Sequence, residues 1–464
     1  MTVRVQIGGG AAEGEDKPKR YVISSKRKKA AEEGLDPVYE PVLDRMMEDR
    51  PNVFLTGRAG AGKTTLIKTM LSRIENAIVV APTGVAAVNA GGQTIHSFFK
   101  LPPRLIERGE NHRIRDPRVI KAAQTIVIDE ISMVRSDLLE AVDRSLKQHR
   151  GEARKPFGGV QMILVGDPHQ LAPVVDGETG PILEDWFGGP WFFQADAFRQ
   201  AHFLHIELKK ALRQDEPRFL KLLEGIRTAS PTLEDGQLLR ELVDDTDPVA
   251  ASETHVVLTP TNAVANSINR ARLADVEGET WEYAAEVSGE FDERSGGADP
   301  VVELKVGARV MLLRNDAAPG WVNGTIGIVE ALEPEAVIMR VGRQTARIEP
   351  ATWEKARYEA GPRGGVQRKV IGAFKQMPLR LGWALTIHKA QGLTLDKVYI
   401  DLGRGMFAHG QAYVALSRAR TLAGLKLSRP LRRSDLIRDA AAFEFGDLTP
   451  IEETKDYAIS QLGR

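Results

Sequence analysis

Four short apolar runs in the first half of the chain, NVFLTG, AIVVAPT, TIVIDE and MILVGD, each stop in a polar or glycine-rich turn that opens a helix-like segment. Unbroken apolar runs, rather than alternating ones, belong to strands buried on both faces, and strands separated by helices pair in parallel. The expected class is therefore α/β with doubly wound parallel sheets. A second set begins at HVVLTPT and resumes at VYIDLG and LKLS. Between its halves lie RVMLLRND, TIGIVEAL, AVIMRV and RKVIGAF, with no helical pattern after each, which reads as a small antiparallel barrel inserted in a second α/β domain. At 464 residues the chain exceeds one compact core. The expected layout is a mobile basic tail over 1–36, a first domain over 37–200 with an insertion near 100–121, a second domain over 201–304 and 374–440, the barrel over 305–373, and an extension over 441–464.

The stretch Gly57-Arg-Ala-Gly-Ala-Gly62-Lys63-Thr64 follows a strand and precedes the helical TTLIKTMLSRI. It fits GxxxxGK[ST], a loop whose amides fold around phosphate oxygens at a helix start. Gly57, Gly60, Gly62, Lys63, Thr64 and Thr65 are the candidate nucleotide contacts, with Lys63 on the β- and γ-phosphates and Thr64 on Mg²⁺. The strand TIVI ends in Asp129 and Glu130. Asp129 suits the Mg²⁺ shell and Glu130 can polarise an attacking water. An acidic pair alone is an ordinary turn; beside the glycine loop it completes an ATPase. ATP and Mg²⁺ are the expected cofactors.

Lys plus Arg equals Asp plus Glu, 63 each, which argues against a histone-like polycation but leaves local patches open. Residues 17–29 are densely basic, 275–300 acidic, and 340–380 basic again. Cysteine is absent, so disulfides, thiolate zinc sites and cysteine nucleophiles are excluded. Its absence suits a reducing compartment: the cytoplasm and nucleoid of a bacterium, or a eukaryotic nucleus. The first residues have no apolar stretch of the secretory type, and no run reaches the roughly 20 apolar residues of a membrane span.

Beyond the glycine loop, six segments in order resemble the motifs of the PIF/RecD-like branch of superfamily-one DNA helicases, most closely the PIF type. They are APTGVAAVNAGGQTIHSFF, IDEISM, FGGVQMILVGDPHQLAPV, LKKALRQ, LTIHKAQGLTLDKV and QAYVALSRAR. The resemblance implies two RecA-like domains, movement 5′→3′ on single-stranded DNA, and work at junctions of single and double strands, as a monomer. It implies that Gln170 contacts the γ-phosphate or water, and that Gln391 and Gly392 line the nucleotide site. Arg213 and Arg418 become candidate arginine fingers, reaching across a cleft that must shut before they act. Thr83, Thr94, His96, Ser97 and Phe98, with Thr386, His388 and Lys389, become candidate nucleic-acid contacts, chiefly to phosphates. The basic stretch from Lys100 to Lys121 matches a small wedge, or equally a solvated loop. Related helicases read adenine with an upstream glutamine; here none lies between Gln6 and Gln93, leaving Tyr39 or Glu40 as substitutes. An RNA-directed translocase, a RecD-like subunit of a nuclease complex and a non-moving P-loop switch are the alternatives.

Overall fold

The computed structural model describes residues 2–6, 37–114, 116–209, 214, 216–291, 297–314, 323–361, 365–446, 452–453 and 457–462. The first sheet runs, edge to edge, through Glu452–Glu453, Tyr457–Leu462, Phe203–Leu208, Asn52–Gly57, Gln161–Val165, Thr125–Ile128, Ala77–Ala81 and Gln93–Thr94. Its central strands are parallel. Alternate residues serve opposite cores: Phe54, Ile126 and Leu164 face one, Val53, Leu55 and Val127 the other, all at 0% exposure. This two-sided burial is why the runs do not alternate.

The second sheet is also parallel, in the order Ala384–Thr386, Val256–Thr259, Val398–Ile400, Leu425–Leu427. Its core packs Leu258, Leu385, Val398 and Leu425 against Val414 and Leu416 of the helix Gln411–Leu416.

Four expectations of layout change. The break at 200 moves, because Phe203–Leu208 pairs in register with Asn52–Gly57 and belongs to the first sheet. The tail over 1–36 is not all tail: Thr2–Gln6 pairs in parallel with Thr280–Ala284, and Arg4 meets Glu282 at 2.9 Å. The extension over 441–464 returns to the first domain, where Tyr457–Leu462 lies antiparallel to Phe203–Leu208 and the ring of Phe445 stacks on Phe193 at 4.2 Å. The insertion begins near 280 rather than 305 and comprises several small sheets. The largest is antiparallel, ordered Gln344–Ile348, Ala336–Val341, Ile326–Glu333, Arg309–Leu312, Leu379–Leu381. Among the described residues its edge strands do not pair with each other, so backbone bonding leaves it open where a barrel would close.

A long hairpin, Ala351–Ala360 with Val366–Gln376, carries the insertion back to the first domain. The Tyr358 hydroxyl accepts from the Val79 amide at 3.2 Å, its ring meets Phe98 edge-on, and Asn76 Oδ1 accepts from the Val366 amide at 2.8 Å. Within residues 100–114 the chain is anchored by Leu101 and Ile106, both buried. Arg104 pairs with Glu110 and Arg118 with Asp116, each at 2.7 Å, and Arg108 covers the Phe187 ring. Arg115 lies outside the described residues.

Candidate functional site

The first sheet gathers its site residues at the carboxyl ends of its parallel strands, where open α/β sheets bind ligands. The glycine loop leaves Asn52–Gly57 and closes on the helix Lys63–Arg73. At Gly57, φ is +149° and an added Cβ would stand 2.5 Å from the Leu208 carbonyl oxygen, so glycine is required. Gly60 and Gly62 also hold positive φ, which turns their amides inward to the helix start. Lys63 Nζ donates to the Gly57 carbonyl at 2.6 Å, and burial lowers its pKa against the pull of Asp167 and Glu130. Thr64 is solvent-facing on the first helical turn, and Thr65 is half-buried behind it.

Glu130 sits in the left-handed region at φ +53°, and its amide donates to Asp129 Oδ1 at 2.9 Å. That turn separates the roles of two adjacent carboxylates. Burial raises Asp129; burial, then the charge of Asp129, pushes Glu130 up to about 7. A base poised there is well matched to neutral pH. Among the described residues no group of three His, Asp or Glu side chains gathers as a metal cage. Thr64 and Asp129 fit a Mg²⁺ held mostly by phosphates and waters.

The second domain closes over this edge. Gln391 Nε2 donates to Glu130 Oε2 at 3.1 Å and to Gln170 Oε1 at 3.3 Å, while Gln170 Nε2 donates to Asp167 Oδ2. Gly392, at φ +82°, follows. The Tyr413 hydroxyl accepts from the Ala59 amide of the glycine loop at 3.1 Å. Gly410 passes so close that a Cβ would lie 2.2 Å from the Gln170 carbonyl oxygen.

Arg418 is 1% exposed, its guanidinium donating to the carbonyls of Val414 and Leu393 and to Ser417 Oγ, and its charge reaches Glu130. Arg420 points away to an exposed pair with Asp396 at 3.2 Å. The helix stops at Leu416, so the turn after it, rather than a helical face, sets the two arginines apart. Arg213 lies outside the described residues.

Three contributors were not singled out from the sequence, and only the first lies outside every recognised motif. Arg227, on Pro217–Arg227, is 8% exposed and lies among Asp167, Glu207 and Glu224 at 3.4 to 3.6 Å. Burial alone would raise Asp167, but Arg227, His169 and Lys63, with the His169 amide, together outweigh it and hold the acid at about 2. Tyr413 and Gln214 stand inside recognised motifs. Gln214 Nε2 donates to the carbonyls of Ser417 and Ala419, tying LKKALRQ to QAYVALSRAR.

On the nucleic-acid side, Thr83 and Thr94 cap the helices Gly84–Ala90 and Ile95–Phe99, accepting from the amides of Ala86 and Ser97 at 3.2 Å. Their hydroxyl hydrogens stay available to phosphate. His96 and Ser97 are half-buried, and burial lowers the His96 pKa. Phe98 is corrected: at 6% exposure, packed on Phe99, it is core and has no face for a base. Thr386 ends a strand of the second sheet and accepts from the Lys389 amide; His388 and Lys389 are exposed beyond it. The adenine substitutes are corrected too. Tyr39 is buried and donates to the Ala61 carbonyl at 3.2 Å, bracing the glycine loop, and Glu40 is held by both guanidinium nitrogens of Arg73.

Residues 32–218 match a family model described as PIF1-like helicase, and 294–332 match the DNA helicase Pif1 2B domain. A Bdellovibrio bacteriovorus ATP-dependent DNA helicase Pif1 is 32% identical over 408 residues, covering 85% of this chain and 87% of its own length. The chain belongs to the PIF1-like helicase family. A rat PIF1 is 34% identical across 88% of this chain, but the match spans only 62% of the rat protein. The solved structure of unliganded Pif1 from Bacteroides is 36% identical with a TM-score of 0.84, covering 92% of this chain and 99% of that one. Bacteroides Pif1 in complex with ADP-AlF3 and ssDNA gives a TM-score of 0.62 at 37% identity, over 92% and 99% of the two chains. The 2B match falls on the inserted strands, and the PIF1-like model spans the glycine loop and the Asp129–Glu130 turn.

Proposed function

We propose that this PIF1-like chain is an ATP-dependent DNA helicase that moves 5′→3′ on single-stranded DNA and opens duplex or structured DNA, in replication, repair or recombination. Relatives named as ATP-dependent DNA helicases, and a Bacteroides Pif1 crystallised with ADP-AlF3 and ssDNA, support the activity and the strand. The observation that carries the reading is Gln391, a second-domain side chain bonded at once to Glu130 and Gln170 of the first. The groups that would hold water and γ-phosphate are thereby tied to the motion of the domain bearing Thr386 and Lys389.

Loop amides and Lys63 would grip the phosphates, and Thr64 and Asp129 would hold a Mg²⁺ that supplies charge neutralisation on the leaving phosphate. Glu130 takes the proton of the attacking water. Arg418 is the candidate finger, turned toward the cleft from a domain that must be shut for it to act. Each cycle of closing and opening moves one strand grip relative to the other. The test is ATP turnover with and without matched DNA and RNA strands, and unwinding of duplexes with a 5′ or a 3′ tail. Stimulation by DNA and opening of the 5′-tailed duplex are expected. Turnover indifferent to any strand would reduce the chain to a switch, equal stimulation by RNA would remove the DNA assignment, and opening from the 3′ tail would reverse the polarity.

A further inference from the structure

The helix Pro217–Arg227 belongs to the second domain, yet its last turn reaches into the first. Its apolar side, Phe219, Leu222, Leu223 and Ile226, is built into the second core with Leu258 and Leu385. Its polar end crosses the cleft. Glu224 meets Arg58 of the glycine loop at 3.0 Å, and Arg227 meets Asp167 Oδ1 at 3.4 Å. Glu224 and Glu207, at 3.4 and 3.6 Å, complete the acids around that guanidinium.

Asp167 is the hub of this contact. Its Oδ1 also accepts from the His169 amide at 3.1 Å, and its Oδ2 accepts from Gln170 Nε2 at 3.2 Å. A carboxylate only accepts, so an ionised Asp167 obliges Gln170 to turn its NH₂ inward. The amide oxygen then faces the cleft, where it accepts from Gln391 Nε2 at 3.3 Å. That same nitrogen stands 3.1 Å from Glu130 Oε2, and so marks a point in reach of both the base and the amide. A water at such a point gives one proton to each oxygen. A protonated Asp167 would break the arrangement, because one of its oxygens would become a donor and Gln170 would be free to present either end. Burial favours that form; Arg227 heads the charges that oppose it, followed by His169 and Lys63. Of these three, only Arg227 comes from the second domain.

We propose that Arg227 is a positioning residue for ATP hydrolysis: it secures the Asp167 carboxylate, which holds the Gln170 amide with its nitrogen inward and its oxygen toward the attacking water. The inference rests on the hydrolytic roles of Gln170 and Glu130 given above and adds a residue outside every recognised motif. Because Arg227 rides on the second domain, Gln170 is set correctly only while the cleft is shut. Opening withdraws the arginine, and with it the orientation of the amide. Hydrolysis is thereby confined to the closed state by a route separate from the arginine finger.

The full chain is assayed with an oligothymidylate for steady-state ATP turnover, and its melting temperature is measured alongside. The variants are Arg227→Gln, Gln170→Ala, the double variant Arg227→Gln/Gln170→Ala, and the charge-free pair Asp167→Asn/Arg227→Gln. Arg227→Gln should lower kcat by roughly a hundredfold, the scale for a displaced catalytic group, with KM for ATP little changed. If Arg227 acts through Gln170, the double variant should be no slower than Gln170→Ala alone, whereas independent effects would multiply. A merely structural role would slow Gln170→Ala further. The charge-free pair removes both ions at once, so it should melt close to wild type. Its turnover should stay low, because an amide at position 167 can donate to Gln170 Oε1 and let that side chain turn over. This pair carries the test if Arg227→Gln fails to fold. Wild-type kcat in Arg227→Gln or in the charge-free pair, or multiplying effects in the double variant, would overturn the positioning role while leaving the helicase reading intact. A wild type that hydrolyses no ATP would instead overturn that reading.

Discussion

In the nucleotide cleft, Lys63, Arg227 and Arg418 each end on acceptors supplied by the protein; in the second-domain cavity beside Leu379–Leu381, Arg270, Arg380 and Lys389 share one acid, Asp299, and make no ion pair among the described residues. Both regions concentrate charge, but only the first balances it internally. The cleft can close without a strand because its carboxylates, amides and arginines satisfy one another across the domains. The cavity holds three cations to that one acid, whose charge favours the ionised form of Arg380.

If that contrast holds, variants in the cleft should fail in turnover, and the most severe lie closest to phosphate. Lys63→Ala should lose hydrolysis by roughly a thousandfold or more, since loop amides alone cannot follow developing γ-phosphate charge. Strand binding measured by anisotropy should survive; its loss would mean that the two regions are one. Arg418→Ala should cost a similar factor in kcat, roughly a thousandfold, with ATP affinity much less affected. Because three protein acceptors hold Arg418, its melting temperature must be measured beside turnover. A stable variant with normal kcat would strip the arginine of its role.

Arg227→Ala separates packing from chemistry. Removing one member of a buried pair costs about 3–5 kcal/mol, because Asp167 would stay behind uncompensated. The sign with pH follows from the low pKa of Asp167, about 2. Its stabilisation is complete above the usual carboxylate range and is lost as pH falls through that range toward 2. Arg227→Ala should therefore melt lower than wild type at pH 7, with the gap narrowing in acid. A pH-independent gap would show that the pair is not the source.

Glu130→Gln should slow turnover at least about a hundredfold while nucleotide still binds. With its pKa pushed up to about 7, Glu130 is half protonated at neutrality. Since a base must be ionised to act, wild-type turnover should climb as pH rises through 7 and flatten above it. The same climb in Glu130→Gln would assign the titration elsewhere. Smallest of all is Arg420→Ala, which removes an exposed pair worth about 0–1 kcal/mol and should change kcat less than about twofold. An effect approaching that of Arg418→Ala would exchange their roles.

What the sequence determined by itself was local. The glycine loop, the carboxylates ending TIVI and the parallel character of each apolar run depend on residues within one strand–turn–helix unit, whose chemistry is written in neighbouring positions. Motif order extended that to two domains, because order along the chain survives folding. Tertiary structure decided which edges pair. Thr2–Gln6 lies beside Thr280–Ala284, and Tyr457–Leu462 beside Phe203–Leu208, through backbone bonds that carry no side-chain code. It decided that Phe98 is core because Phe99 and Tyr358 close over it, and that Tyr39 braces the loop rather than reading adenine. It alone distinguished among arginines. An arginine reads the same in any sequence; whether it is paired like Arg227, turned outward like Arg420 or set near one acid without an ion pair like Arg380 depends on which acceptors distant strands bring within about 3 Å, the reach of a hydrogen bond.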